Sequence, residues 1–427
     1  MNITLNRPTC SARVRVPTSK SAAHRLLIAA AFADQPTTVH CIGMGEDIAA
    51  TLRSLVAMGA DMTITHDSES GADRIAVMPI ATPIDGAVAD CGESGSTLRF
   101  LVPVAAALGI NVRFLRHGRL PQRPMSPLTE LLADAGVTLT DQPDGSLSLC
   151  GKLPAGDYSI PAGVSSQFIT GLLFALSLLD KPSTLTLTGE IESAPYIEMT
   201  LRALAAFGAE PTRSPDGRVF RIKGKKAAPL TAKARAYFPE GDFSGAAFAL
   251  AAGAVGTQPV TVCGLSLDTP QGDRAIVELL ERFGAKITRD AENGAVSVAP
   301  APLRGIEIDA KQIPDLVPVL AVVAANATGV TRIFGAARLR IKESDRLATT
   351  AALLAALGGS VTETDDGLTV TGGTPLTGGT VEGAGDHRIV MSAAVAALTA
   401  SGAVTITGTE AVSKSYPNFF KEVICPD

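Results

Sequence analysis

Six stretches of this chain repeat one plan, and that plan leaves few folds open. Each begins at a small or acidic polar residue, runs through an Ala- and Leu-rich helical segment, turns at Gly, Asp, Asn or Pro, and ends in a β-branched strand. The stretches are 19–39, 94–114, 165–187, 242–262, 315–333 and 386–406. Their starts lie roughly 70 to 80 residues apart, too far for a solenoid and suited to a small subdomain. Five repeats carry a second helix that stops at a glycine, as in Met58-Gly59-Ala60, Ala135-Gly136, Phe207-Gly208-Ala209, Phe283-Gly284-Ala285 and Leu357-Gly358-Gly359. Glycine there accepts the left-handed conformation that ends a helix, and a strand follows. Hairpin turns are predicted at Asp144-Gly145, Asp216-Gly217, Asn293-Gly294 and Asp366-Gly367. The sixth repeat keeps only a short second helix, within 417–423.

Each repeat therefore reads βαβαββ, an α/β (α+β) pattern, and six divide most simply into two pseudo-threefold domains of three. At 427 residues the chain exceeds what one hydrophobic core sustains. The segment 1–15 supplies a strand ahead of the first helix, so the chain is expected to begin in one domain and cross to the other. The expected domains are 1–18 with 241–427, and 19–240, hinged near 18–20 and 239–242, with the substrate cleft between them. A rigid ring or scaffold of six repeats is the competing arrangement.

A formal net charge of −5 argues against a nucleic-acid partner for the whole protein. The six cysteines are scattered, without a CxxC pair or a short spacing to histidine, so neither a metal site nor a disulfide scaffold is indicated. The longest apolar runs, 248–255 and 316–325, fall short of a membrane span, and 1–5 lacks the pattern of a signal peptide. A soluble cytoplasmic protein, most simply a monomer, is expected.

Against this acidic background, cations and hydroxyls gather where helices begin. Ser19-Lys20-Ser21 with Arg25 opens the first helix, predicted over about 22–33 with Ser19 and Ser21 as caps. Gly92-Glu93-Ser94-Gly95-Ser96-Thr97-Leu98-Arg99 opens the second repeat, and Gln122-Arg123-Pro124 lies in a loop beside it. Ser165-Ser166-Gln167, Arg340-Ile341-Lys342-Glu343-Ser344-Asp345-Arg346, Asp386-His387-Arg388 and Lys414 continue the series. If the helix starts of each domain face one side, these cations converge on one cleft, where mutual repulsion is tolerable only for a highly anionic ligand bearing phosphate and carboxylate. The glycine-rich stretch is no Walker loop, because no Gly-Lys-Ser/Thr follows at the required spacing. Gly95 either lets backbone N–H groups approach an anion or packs closely, and Ser165-Ser166-Gln167 is either a cap or a phosphate clamp. Asp315 reads as an N-cap or a proton-transfer group, Glu343 as a salt-bridge partner or a proton-transfer group.

Taken in order, these motifs resemble the 5-enolpyruvylshikimate-3-phosphate synthase family along nearly the whole chain. The resemblance rests on Pro17-x-Ser19-Lys20-Ser21 with Arg25, Ser94-Gly95-Ser96 with Arg99, Arg123-Pro124 and Val164-Ser165-Ser166-Gln167-Phe168. Ser193-x-Pro195-Tyr196-Ile197, Ile313-Pro314-Asp315, Lys342-Glu343-Ser344-Asp345-Arg346, Asp386-His387-Arg388 and Lys414 before Ser415-Tyr416-Pro417 complete it. It implies two domains of three βαβαββ repeats that close on their substrates. It also implies transfer of the enolpyruvyl group of phosphoenolpyruvate to the 5-hydroxyl of shikimate 3-phosphate, without metal or organic cofactor. Lys20, Ser21, Arg25, Ser165, Ser166, Gln167, Ser193, Tyr196, Asp315, Arg338 and Lys342 would then hold shikimate 3-phosphate. Lys20, Gly95, Arg123, Gln167, Arg346, His387, Arg388 and Lys414 would hold phosphoenolpyruvate. Glu343 would donate the proton, Asp315 would take the hydroxyl proton, and Lys20 would act beside them.

Thr18, His24, Glu93, Phe100 and Arg338 depart from the family's usual Gly, Asn, Asn, Pro and Asn. Because Glu93 and Phe100 flank Gly95, weaker inhibition by the phosphoenolpyruvate mimic glyphosate is expected. The related UDP-N-acetylglucosamine enolpyruvyl transferases carry a reactive cysteine where 113–124 has none. A clamp-like repeat protein without chemistry would have no reason to collect Asp315, Glu343 and six cations at helix starts.

Overall fold

Apolar periodicity and glycine stops set the element order of the repeats. A computed structural model describes residues 1–68 and 71–425. Its main helices are α1 (Lys20–Ala31), α2 (Glu46–Ala57), α3 (Gly95–Leu108), α4 (Leu128–Asp134), α5 (Ser166–Ser177) and α6 (Ala194–Ala206). There follow α7 (Phe243–Val255), α8 (Ile276–Phe283), α9 (Val317–Ala325), α10 (Arg346–Ala356), α11 (His387–Ala397) and the short α12 (Phe419–Glu422). Gly59, Gly136, Gly208, Gly284 and Gly358, which end the second helices, all have positive φ, between 75° and 115°. No side chain with a Cβ adopts that backbone cheaply.

The chain divides into two compact domains, a discontinuous one (Met1–Ser19 with Glu240–Asp427) and an inserted one (Lys20–Pro239). In the inserted domain each repeat contributes a four-stranded sheet. Its first two strands run parallel, as Asp157–Pro161 with Ser183–Thr188, and a hairpin adds antiparallel strands, as Val219–Ile222 and Thr212–Arg213. The first sheet of this domain takes its parallel edge from Ala236–Tyr237, paired with Thr38 and Val39. In the discontinuous domain Arg13–Arg15 fills the same place beside Val260–Cys263, and Asn2–Leu5 completes the last sheet against Val404–Thr407. Where the chain passes between domains, Ser19 N–H donates to Glu240 O (2.7 Å) and Asp242 N–H to Pro17 O (2.9 Å), so the two crossing segments are bonded to each other.

Each domain buries its own core of Ala, Leu, Val and Phe. Residues 243 and 245 to 254 of α7 are all buried, which explains a helix that is apolar all round. Small residues permit close helix contact: a Cβ on Gly171 of α5 would lie 2.4 Å from Arg99 O and 2.7 Å from Pro103 Cγ of α3.

Two local expectations need correction. Helix α1 begins at Lys20, not near 22, because the extended bond from Ser19 to Glu240 ends right there; Ser21 sits inside the first turn and is no cap. Asp315 is not an N-cap either. It lies in a 3-10 turn, Pro314–Leu316, ahead of α9, whose start makes no side-chain cap bond; Pro318 has no N–H to offer one.

Candidate active site

In the inserted domain, contacts between the first turns of the helices bring the motif residues together. Lys20 Nζ of α1 donates to Asp47 Oδ2 of α2 at 2.7 Å. Gln167 at the start of α5 reaches α3, its Oε1 accepting from Arg99 Nη1 (2.7 Å) and its Nε2 donating to Ser96 Oγ (2.9 Å). Ser165 caps α5 by accepting from Gln167 N–H, and Ser166 follows it, buried. Arg99 Nη2 holds Pro124 O at 2.8 Å, next to Arg123. The Arg123 guanidinium lies over the start of α3, so close that a Cβ on Gly95 would be 2.7 Å from Nη1. Only glycine leaves room for that cation at the positive end of the helix. A side chain at 95 would push the arginine away from the positive end of the helix.

Arg25 is 2% exposed. It donates to Thr200 Oγ1 (2.9 Å), Ser21 O (2.6 Å), Thr170 Oγ1 (3.1 Å) and Tyr196 O (3.1 Å). Its guanidinium carbon stands 5.1 Å from the Phe100 ring centroid and 5.9 Å from that of Tyr196. Burial lowers its pKa to about 10. Arg25 thus ties α1, α5 and α6 together. Ser193, just before α6, is buried in the left-handed region at φ 54°. A serine held in that conformation is strained, and such strain gathers at functional sites.

In the discontinuous domain one guanidinium organises the cluster. Arg346, 1% exposed, donates from Nη1 to Asp315 Oδ1 (2.7 Å), from Nη2 to Glu343 Oε2 (2.7 Å) and from Nε to Asp386 Oδ2 (2.8 Å). Arg388 Nη2 approaches Asp315 Oδ2 at 3.2 Å, and Lys342 Nζ approaches Oδ1 at 3.9 Å. Ser344 Oγ donates to Asp386 (3.0 Å), which also caps α11. His387 follows it, buried, with Nδ1 3.9 Å from Asp386 Oδ1. Lys414 Nζ donates to Gly385 O at 2.7 Å, and Arg338 Nη2 to Lys311 O at 2.9 Å.

The picture of bare, mutually repelling cations is therefore corrected. Arg346, Arg388 and Lys342 face Asp315, Glu343 and Asp386, and Lys20 faces Asp47. A buried charge without a partner costs too much. Burial works against Asp315's charge, but Arg388, Lys342 and Arg346 outweigh it and hold the carboxyl well below its usual range. Burial brings Lys342 down to about 8, with Asp315 opposing. For Arg346 burial is more than offset by Asp386, Glu343 and Asp315, and its pKa rises.

Sequence reasoning passed over Asp47, Asp273 and the structural weight of Asp386. Asp47 had one visible signal, the acid pair Glu46-Asp47 opening α2. Asp273 is buried and accepts from Ser244 Oγ. Burial, then the charge of Asp315, push its pKa up to about 7. A carboxyl that binds its proton more tightly when folded contributes stability below about pH 4 and loses it as pH rises through about 7. Asp273→Asn should flatten the fall in denaturation midpoint between about pH 4 and about pH 7. A slope like that of the unaltered protein would contradict this.

Among the described residues, no group of three or more His, Cys, Asp or Glu could hold a metal ion, and no helix is long and apolar enough to cross a membrane. The chain is thus an α/β protein of two domains, each built from repeats, with arginines, lysines and carboxylates clustered at its helix starts. The family described as EPSP synthase (3-phosphoshikimate 1-carboxyvinyltransferase) matches residues 6–423. The chain is 36% identical to the 3-phosphoshikimate 1-carboxyvinyltransferase of Clostridium novyi over 99% of its own length and 96% of that protein's. It is 40% identical to that of Halobacterium salinarum, over 99% and 97%. The solved EPSP synthase of Acinetobacter baumannii superposes with a TM-score of 0.77 at 27% identity, covering 98% of this chain and 97% of that one. This chain belongs to the EPSP synthase family.

Proposed function

We propose that the protein transfers the enolpyruvyl group of phosphoenolpyruvate to the 5-hydroxyl of shikimate 3-phosphate, releasing phosphate. What most supports the assignment of roles is the pair of carboxylates, Asp315 and Glu343, each 2.7 Å from the Arg346 guanidinium. In this reading the 5-hydroxyl attacks the middle carbon of phosphoenolpyruvate. Asp315 takes the hydroxyl proton while Glu343, having taken up a proton as substrate draws Arg346 away from it, gives that proton to the vinyl carbon. The C–O bond to phosphate then breaks, the methyl carbon returns a proton to Glu343, the double bond reforms, and the proton on Asp315 leaves with phosphate. Arg346 and Arg388 hold the carboxylate of phosphoenolpyruvate, while Lys20, Arg123 and Lys414 neutralise the departing phosphate, with Gly95, Gln167 and His387 beside them. Ser21, Arg25, Ser165, Ser166, Ser193, Tyr196, Arg338 and Lys342 hold shikimate 3-phosphate. Anionic substrates compete with Asp315 for its cations, which loosens their hold and raises its basicity when a base is needed.

No metal or organic cofactor enters the scheme, and the reading is of a monomeric cytoplasmic enzyme without nucleic-acid or membrane partners. The test is phosphate release from the purified protein. It should require both compounds, fail with either alone, and fail with UDP-N-acetylglucosamine in place of shikimate 3-phosphate. Phosphate release with the nucleotide sugar would move the protein to the related transferases. Glu93 is exposed, and Phe100 is buried under Arg25. With these two around Gly95, half-inhibition by glyphosate should need more than micromolar concentrations; submicromolar inhibition would contradict the expectation.

A further inference from the structure

A buried histidine in the inserted domain takes no part in this scheme. His24 of α1 is 1% exposed, and its Nδ1 lies 2.6 Å from Thr51 Oγ1 of α2. Thr51 Oγ1 lies 2.7 Å from Thr97 Oγ1 in the first turn of α3. Thr97 Oγ1 in turn donates to Ser94 Oγ at 2.8 Å. Ser94 is the cap of α3, and its oxygen also accepts the Thr97 N–H at 3.2 Å. The other imidazole nitrogen, Nε2, is buried without a hydrogen-bond partner.

Each hydroxyl has one proton to give, so the direction of the chain follows from where the histidine carries its own. Thr97 Oγ1 also lies 3.4 Å from Asp47 O, and the contact between Thr51 and Thr97 fits a proton from either side. The unpartnered Nε2 decides it: a proton on Nδ1 meets Thr51 Oγ1 at 2.6 Å, Thr51 then donates to Thr97, and Thr97 to Ser94. The opposite tautomer would bury an N–H at Nε2 without an acceptor. Burial, Lys20 and Arg25 all work against a charged imidazolium and lower the pKa of His24 well below its ordinary value.

We infer that His24 is a positioning residue: as the neutral Nδ1–H tautomer it heads a one-way hydrogen-bond chain through Thr51 and Thr97 that fixes Ser94 and, with it, the Gly95 end of α3. Three helices meet in that chain. It joins α1, which carries Lys20, and α2, which carries Lys20's partner Asp47, to the helix start that Arg123 overlies. The functional consequence rests on Gly95 and Arg123 serving phosphoenolpyruvate.

Two measurements on the full chain test it. Nitrogen-15 NMR should show His24 protonated at Nδ1 and bare at Nε2 at neutral pH; the opposite tautomer, or an imidazolium, would overturn the inference. In steady-state kinetics, His24→Leu should raise KM for phosphoenolpyruvate about three- to tenfold, the loss of one hydrogen bond, with kcat and KM for shikimate 3-phosphate within about twofold. His24→Asn, whose amide can donate near the Nδ1 position, should bring that KM back. Thr51→Val, nearly the same shape, should reproduce the leucine effect and decides the matter if His24→Leu does not fold. Equal rises in both KM values, or no recovery with asparagine, would sink the positioning role. A wild-type protein that releases no phosphate would instead sink the functional reading, and the NMR result would stand apart from it.

Discussion

Arg346→Met is expected to lower the free energy of unfolding by about 3–5 kcal/mol, because removing one partner of a buried ion pair leaves the other charged and unpaired. Here the arginine meets three carboxylates, and its side chain is 2% exposed while Asp386 is fully buried. Some of the loss should be relieved by protonation, so the deficit should shrink as the pH falls. Adding Asp386→Asn to Arg346→Met should recover part of it, since one stranded charge is gone. Urea denaturation near neutral pH measures both. A loss below about 1 kcal/mol would place the arginine among weak surface pairs and contradict the account.

Glu343→Gln is expected to leave the fold intact and lower kcat by about 10²- to 10⁴-fold, the range that a general acid contributes. Glutamine keeps the shape and can still accept from Arg346 Nη2, which Glu343 meets at 2.7 Å. It carries no proton of useful acidity. The expected signature is therefore a large fall in kcat with KM for phosphoenolpyruvate within a few fold. A variant whose KM rises sharply while kcat holds would recast Glu343 as a binding or structural group.

The repeats were legible because their punctuation is steric. A helix that ends on Gly59 or Gly284 at positive φ, then turns into a strand, leaves the same mark in five of the six repeats. Ser94, Ser165, Asp242 and Asp386 were readable as helix starts for a similar reason: each caps through its own side chain. Ser21 and Asp315 misled because a cap depends on where the preceding backbone stops being extended. At Ser19 that is set by a bond to Glu240, some two hundred residues away. The family motifs held Asp315, Glu343 and Asp386 beside the cations, but not Asp47, the partner of Lys20. Asp47 and Asp273 sit outside the family motifs, and nothing in the spacing of Lys20 and Asp47 announces a contact across two helices. His24 was visible as a departure from the family pattern, but its use was not. Only the three-dimensional meeting with Thr51, beside an Nε2 buried without an acceptor, gives its proton a direction.

The most direct test of the proposed chemistry follows the carbons of phosphoenolpyruvate. With carbon-13 in all three positions, and shikimate 3-phosphate present, NMR should show the labelled vinyl group attached through oxygen to the 5-carbon of the acceptor, with phosphate released in equal amount. Labelled pyruvate in its place, with the acceptor unchanged, would mean hydrolysis and not transfer, and would contradict the account.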